Sequence, residues 1–562
     1  MRYEKLAELY DSLGATTKRL KKTEILSEFL KKLDEHEKDI LYLLLGRIYP
    51  EYDQRETGIS SQLAIKAISK ATGINSEEIV KEWKRIGDLG KVAESLVKIK
   101  KQSTLNKKEL ETKDVLVNLR KLPELEGKGT VDKKISLITE LLTSASPVEA
   151  LYLTRTLIGD LRIGIQESTV RDAMAWAFFN NEEGISKDIQ NMIDRTNDIG
   201  AVFDIVKKGK IKDLGGLNLE VGKPVKVMLA QKAKTIKEGF EKVGKPCAIE
   251  YKYDGFRLLI HKKDNDIKLY TRRLENVSKQ FPEVLDYLKK YVKGNSFIID
   301  SEAIGFDKKT KKYKPFQEIS QRIKRKYDIE KLQEELPVEI NVFDILYYNG
   351  KTLLQEPFSE RTALLRKIVQ NQKYKLKVAN QIITDDEKKA DQFFKQALAD
   401  NQEGVMMKNL DSIYQPGSRV GYMLKVKPEE REMDLVIVGA EYGTGKRFGW
   451  MSSFILACKH GDEFLEIGKV GTGIKEKLGG EVSFDELTKI LKPLIKSEQG
   501  RYVEIKPKIV VTVIYQEIQK SSHYQSGFAL RFPRVTALRP DRNTEDVENL
   551  EQVKKDYESQ GK

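Results

Sequence analysis

Glu250-Tyr251-Lys252-Tyr253-Asp254-Gly255-Phe256-Arg257 places one lysine between carboxylates, just before a glycine, at the end of an apolar alternating run. Lysine becomes a nucleophile only after losing its proton, which burial or a nearby positive charge can bring about near neutral pH. Glu250 and Asp254 push the other way. Chemistry at Lys252 therefore needs a polyphosphate and its metal to arrive and tip the balance. The same octapeptide also fits a surface hairpin, with Tyr253-Asp254-Gly255-Phe256 as its turn and Lys252 solvated. Four residues do not decide between the two readings. The four histidines (His36, His261, His460, His523) show no metal-ligand spacing, and Cys247 and Cys458 form no Cys-x-x-Cys pair. A catalytic triad, a structural zinc and a disulfide framework are not expected.

The elements that must position these groups change character near residue 222. Before it the period is helical: Ile25, Leu26, Phe29, Leu30 and Leu33 recur at helix spacing, continued by Ile40, Leu41 and Leu44. Leu151, Leu153, Leu157, Ile158 and Leu161 suggest another helix, interrupted by Gly159 and Gly164, and Thr169 to Ala173 open one running through Trp176. In Leu161-Arg162-Ile163-Gly164-Ile165, glycine beside arginine allows close backbone approach to a phosphate. After residue 222 the period moves towards two. Phe297–Ile304 reads as a buried strand with Asp300 and Glu302 on one face. Glu339–Leu346, carrying Phe343 and Asp344, is a second strand and ends at the turn Asn349-Gly350. Gly404–Lys408 follows Glu403, and Tyr422–Lys427 ends with Lys425 and Lys427 on one strand face. Helical stretches lie between, over Phe358–Gln370 and Asp386–Asp400. Pro428–Met433 reads as a hinge. Beyond it come candidate strands at Leu435–Val438, Phe454–Cys458, Phe464–Val470, Tyr502–Ile505, Ile509–Ile514 and Leu530–Ala537, which fit a small Greek-key barrel of the OB type. A charged tail with helix spacing follows.

Length and charge bound the rest. The 562 residues suggest about three or four domains. The composition, 40% hydrophobic and 33% charged, is that of a globular chain with a highly charged surface. A net charge of +14 points to a polyanionic partner. The N-terminus is charged, with no apolar signal core, and no run is long enough to cross a bilayer. The expected location is intracellular and cytoplasmic.

The ordered set Lys252-x-Asp-Gly, Asp300-x-Glu302, Phe343-Asp344, Glu403-Gly404-Val405 and Lys425-x-Lys427 resembles the covalent nucleotidyltransferases. Thr271-Arg272-Arg273-Leu274-Glu275-Asn276-Val277, Gln280-Phe281-Pro282, Gly439 to Arg447 and Arg531-Phe532-Pro533-Arg534 narrow the resemblance to ATP-dependent DNA ligases of the archaeal replicative type. The stretch from Asp160 to Asp172 resembles their DNA-binding domain. The resemblance covers nearly the whole chain. It implies a multidomain fold: an all-α DNA-binding domain at 1–222, an α+β adenylation domain at 223–428, and an all-β OB-fold domain with a helical tail at 429–562. It implies that Lys252 attacks the α-phosphorus of ATP to form a lysyl-AMP, then passes AMP to the 5′-phosphate of a nick in replication, repair and recombination. Glu250 would accept from the adenine edge, and Phe343 would stack on the base. Arg257 and Arg272 would contact sugar and phosphate, Arg419 and Lys425 phosphate, and Glu302 and Glu403 ribose and Mg²⁺. Asp254 would aid the later sealing steps. Lys427, Arg531 and Arg534 would orient pyrophosphate or the nicked strand.

The implied partners are nicked double-stranded DNA, no membrane, and a sliding clamp through the region around Gln102; the chain is expected to be a monomer. Gln102-Ser103-Thr104-Leu105 sits where related ligases carry their clamp segment but lacks its aromatic pair. Ser301 stands where many relatives carry Gly, and Arg542 where Lys is common. An RNA ligase or capping-type guanylyltransferase shares the central motifs, but the helical N-terminal half and Arg531-Phe532-Pro533-Arg534 disfavour it. A non-catalytic scaffold is disfavoured by the intact Lys252, Glu302, Glu403 and Lys425. An NAD-dependent ligase would require a zinc-binding cysteine cluster.

Overall fold

The computed structural model describes the chain except residues 35–36, 100–108, 128, 210–218, 315, 325–327, 429–430, 444–446, 448, 477–481 and 561–562. It divides into two compact units, Met1–Ala390 with Val405–Lys425, and Asp391–Gly404 with Val426–Lys562. Among the described residues no helix is long and apolar enough to cross a membrane. His36 and the segment Gln102–Leu105 lie outside the described residues.

The first unit opens with α-helices from Tyr3 to Lys207. Their ends follow local chemistry. Ser146 and Glu149 form a reciprocal capping box at the start of the Pro147–Leu157 helix, whose proline has no amide to leave unpaired. That helix stops at Leu157, short of Leu161, because Gly159 turns left-handed at φ +70°. The next helix, Glu167–Phe179, begins two residues before Thr169. Ile40–Leu44 is a separate short helix rather than a continuation of Arg19–Lys32. Apolar faces from Leu6 to Val206 close into one continuous core.

The rest of this unit holds two sheets. One runs in the order Leu229–Ala233, Arg419–Val426, Gly404–Asn409, Cys247–Lys252, Gln381–Thr384. The other runs Asp266–Thr271, Phe256–Lys263, Ser296–Phe306, Val338–Tyr348, Lys351–Thr352, with Leu376–Val378 parallel to Val338–Tyr348. Asn349 and Gly350 both have positive φ, so the expected hairpin turn closes the Val338–Tyr348 strand. Leu259, Tyr270, Ile298, Leu346, Tyr414, Val420 and Met423, drawn from both sheets and the loop between them, share one apolar cluster. His261 is buried here and accepts at Nδ1 from the Gly222 amide at 3.0 Å. Burial pushes its pKa down to about 3, so it stays neutral.

The second unit carries the seven-stranded curled sheet of the C-terminal all-β region. Its long strand Arg431–Tyr442 pairs first with Val510–Tyr515 and then, past a register shift at Ile437/Gly439, with Tyr502–Ile505. One strand thus borders two partners on the same side, which curls the sheet. Arg431–Met433, read from sequence as hinge, already belongs to this strand. The expected single strand Leu530–Ala537 is two, Phe528–Arg531 and Arg534–Leu538. Phe532 sits between them at φ +50° and Pro533 lacks an amide to pair. Ile495–Gln499, Glu517–Lys520 and the helix Phe484–Leu491 gave no clear sequence signal. The tail helix is Leu550–Ser559.

Candidate active site

Strand geometry decides where Lys252 goes. The Cys247–Lys252 strand is buried along its length until Lys252, which is half-buried. Tyr251 and Tyr253 anchor it on either side: the Tyr251 amide donates to the Asn380 carbonyl at 3.1 Å, and the Asn380 amide donates to the Tyr253 hydroxyl at 2.9 Å. The surface hairpin is thereby excluded. Lys252 lines a cavity of about 420 Å³ between the two sheets of the first unit.

The cavity lining is chemically mixed. Met228, Phe343, Met406 and Met423 contribute apolar surface, and Glu250 a buried carboxylate. Arg272 and Arg419 are exposed at the rim, and Lys425 is half-buried. Arg419, Met423 and Lys425 are odd-numbered positions of one strand and so share its face. Counting Lys252, Arg257 and Lys408, six cationic side chains line the cavity against the two carboxylates Glu250 and Glu302. Such a surplus suits a polyanion.

Phe343 reaches the cavity by strand alternation, since Val338, Ile340 and Val342 turn to the core, and a β-bulge follows it. Asp344 pairs with Asp300 and Val342 with Ser301, so Phe343 is the extra residue opposite that step. Its backbone neighbours Val342 and Asp344 are buried, whereas Phe343 keeps a half-open ring. The bulge re-aims Asp344, which joins Phe343 on the face opposite Val342 and Ile345. Asp344 fixes the bulge, accepting from Arg361 Nε at 2.7 Å and from the Ile345 amide at 2.9 Å. Arg361 is itself buried and also donates to the Ser412 carbonyl at 3.0 Å.

Arg257 lines the cavity, but its donors are largely used within the protein. Nε donates to Asp300 Oδ1 at 2.7 Å, one terminal nitrogen to the Met228 carbonyl at 2.9 Å, and the other to Asp300 Oδ2. Tyr414 donates to the same carboxylate at 2.8 Å. Burial opposes the Arg257 charge, but the fully buried Asp300 raises its pKa well above the ordinary arginine range. Its guanidinium carbon lies 5.3 Å from the Phe343 ring centre. Arg257 thus stiffens the wall that carries Phe343. Glu302 stands in register between Arg257 and Asn341 and faces the cavity.

Glu250 is buried and already holds two donors. Lys408 Nζ lies 2.6 Å from one oxygen, and Gln381 Nε2 donates to the other at 2.7 Å. Lys408 also lies 4.9 Å from the Phe343 ring centre. Sequence reasoning missed both partners. Lys408 ends an apolar run just as Lys252 does, which was a usable signal; Gln381 offered none. Glu403 is in the second unit, 2.6 Å from Lys427. The strand ends at Val426, so Lys425 and Lys427 do not share a strand face as expected. Arg531, also in that unit, is buried and donates to Glu517 at 3.0 Å; Arg534 is exposed. Among the described residues no three His, Cys, Asp or Glu side chains converge into a metal cage.

A lysine at a strand end, an open aromatic ring and a cationic cavity define a site for a nucleotide polyphosphate, the equipment of a nucleotidyltransferase. Comparison with known proteins agrees along the whole chain. Residues 2–175 match the DNA ligase N terminus, 227–427 the ATP dependent DNA ligase domain, and 447–542 the ATP dependent DNA ligase C terminal region. A DNA ligase of Nanoarchaeum equitans is 45% identical over 564 residues, covering 100% of this chain and 99% of the relative. One of Thermococcus onnurineus is 40% identical, covering 100% and 98%. Among solved structures, Pmar-Lig_PreS3 superposes with a TM-score of 0.57 at 18% identity, over 95% of this chain and 99% of that one, a likeness of fold. The chain belongs to the ATP-dependent DNA ligase family.

Proposed function

We propose that the chain seals nicks in duplex DNA through an adenylate carried on Lys252. The observation that carries this reading is that Lys252 shares one cavity with the Phe343 ring, the buried Glu250 and five further cationic side chains. The base stacks on Phe343 with Glu250 at its edge. The triphosphate then runs towards Arg272, Arg419 and Lys425. The neutral amine of Lys252 attacks the α-phosphorus; a P–N bond forms, the α–β bridging P–O bond breaks, and pyrophosphate leaves. Next, a 5′-phosphate oxygen attacks the same phosphorus and Lys252 leaves. Finally the 3′-hydroxyl attacks the activated 5′-phosphate and expels AMP. Each step concentrates negative charge where fixed cations can stabilise it. Arg257, held on Asp300, lines the cavity beside Phe343 and contacts the sugar and phosphate from there.

Mg²⁺ fits this chemistry. A carboxylate without a protein cage, as found among the described residues, suits an ion that arrives on substrate phosphates and keeps its waters. Glu302, which faces the cavity, would hold it, and when bound it would neutralise phosphate charge; Glu403 is proposed as a ligand on the family resemblance alone. The segments 1–222, 223–428 and 429–562 serve as DNA-binding, adenylation and OB-type domains. The chain works as an intracellular monomer in replication, repair and recombination. A clamp contact would fall around Gln102, where the sequence lacks aromatic anchors.

The reading is tested by label transfer from ATP carrying its label on the α-phosphate. Adduct should remain on the chain after denaturation, and nicked duplex DNA added before denaturation should discharge it, with sealed product. Discharge by RNA ends alone would replace DNA ligation with RNA ligation.

A further inference from the structure

The base end of the cavity contains a hydrogen-bond chain that reaches the protein surface. Arg366, on the helix Phe358–Ile368, donates to Gln381 Oε1 at 2.9 Å. A guanidinium only donates, so this contact fixes which way the Gln381 amide points. Its Nε2 must then face Glu250, to which it donates at 2.7 Å, with Thr362 Oγ1 3.4 Å away. Gln381 and Glu250 are direct cross-strand partners, so the backbone holds them in register. From the other side Lys408 Nζ lies 2.6 Å from the second Glu250 oxygen, and both side chains are buried. Lys408 is pinned above two rings, 4.9 Å from the Phe343 centre and 4.5 Å from that of Phe358.

Glu250 is thus held from both sides, by Lys408 directly and by Gln381 with Arg366 behind it. Both oxygens receive hydrogens, and the carboxylate can offer a ligand only its remaining lone pairs. We propose that Arg366, Gln381 and Lys408 set the base choice of this enzyme by fixing where the remaining lone pairs of Glu250 point, so that the pocket takes a purine with an amino group at C6 and rejects one with a keto oxygen there. This rests on the reading above that Glu250 and Phe343 form the base end. An amino group completes the lone pairs of Glu250, whereas a keto oxygen would set lone pair against lone pair in a buried place. Arg366 and Gln381 are positioning residues here: they touch Glu250 or its partner, not the base.

The test compares lysyl-nucleotide formation by the full chain with α-labelled ATP and α-labelled GTP, measured separately under Mg²⁺. Gln381→Leu and Lys408→Met should each lower the ATP-over-GTP rate ratio about tenfold, the scale of a hydrogen bond to a charged group. Lys408→Arg should retain most of the ratio. Arg366→Ala changes an exposed side chain, keeps the fold, and should lower the ratio by a smaller factor. A merely structural role would slow both nucleotides alike. Glu250→Ala separates the two layers of the argument. If it collapses the ratio while the Arg366, Gln381 and Lys408 variants leave the ratio at the parent value, the relay is overturned and the base-end reading stands. If Glu250→Ala also leaves the ratio unchanged, both are overturned.

Discussion

Phe343 shows how strand alternation builds a site. Val338, Ile340 and Val342 pack in the core, so Phe343 falls on the opposite face with Asn341 and opens onto the cavity, and the bulge adds Asp344 to that face. Stacking of a base on an aromatic ring contributes about 1–3 kcal/mol. Phe343→Ala should therefore raise the ATP concentration needed for half-maximal adenylation of Lys252 by about tenfold or more, with a melting temperature close to that of the parent. A titration of adduct formation against ATP checks this, and an unchanged midpoint would remove Phe343 from the base site. The place of Lys252 at the end of a buried strand was legible in the sequence, because a lysine ending an apolar run before Asp-Gly is a local pattern. The grip on Glu250 was not legible. Gln381 lies 131 residues further along the chain, and only strand pairing brings it into contact. Arg257 is a like case. The resemblance implies a contact to sugar and phosphate; Arg257 lines the cavity, and its partner, the buried Asp300, lies 43 residues away and could be found only through strand pairing.

At the scale of elements, the turn after Lys252 works only because the next strand can approach closely. A Cβ on Gly255 would stand 2.2 Å from the Ala303 carbonyl oxygen, a backbone atom that cannot swing aside. Gly255→Ala must push the Phe256–Lys263 and Ser296–Phe306 strands apart or shift the turn. Overpacking of this kind costs about 1–3 kcal/mol. The same shift moves Lys252, and a misplacement of about 1 Å can slow chemistry by about a hundredfold. Single-turnover adenylation should thus fall far more than thermal stability. A variant that melts earlier but adenylates at the parent rate would show that the turn does not position the lysine. Strand periodicity revealed the Ser296–Phe306 and Val338–Tyr348 strands before any coordinates, since both are long and buried. It merged Phe528–Arg531 with Arg534–Leu538, because a left-handed Phe532 leaves no mark on hydrophobic alternation.

Over the whole molecule, 100 basic residues against 86 acidic ones leave a net charge of +14. A ligase must hold any nick regardless of sequence, so contacts should be mainly to phosphates, and binding should be sensitive to salt. Affinity for nicked duplex should weaken by at least about tenfold between about 50 and 200 mM salt, as when several phosphate contacts release counterions. Adenylation of Lys252 in the absence of DNA should change much less over that range, since partly buried groups are screened less. Equal salt dependence of the two would place the charge surplus at the nucleotide rather than the duplex. The helical N-terminal region, the α+β middle and the all-β end were legible from the switch in hydrophobic period. The boundary between compact units was not: the Asp391–Gly404 segment joins the C-terminal unit although it precedes the strand Arg419–Val426.

The most direct test of the central claim is to locate the nucleotide on the chain. The protein would be incubated with Mg²⁺ and ATP, denatured and digested, and its peptides weighed and sequenced by mass spectrometry. The account predicts one AMP on the peptide containing Lys252 and none in Lys252→Ala. AMP on Lys408 or Lys425, or an undiminished adduct in Lys252→Ala, would contradict it.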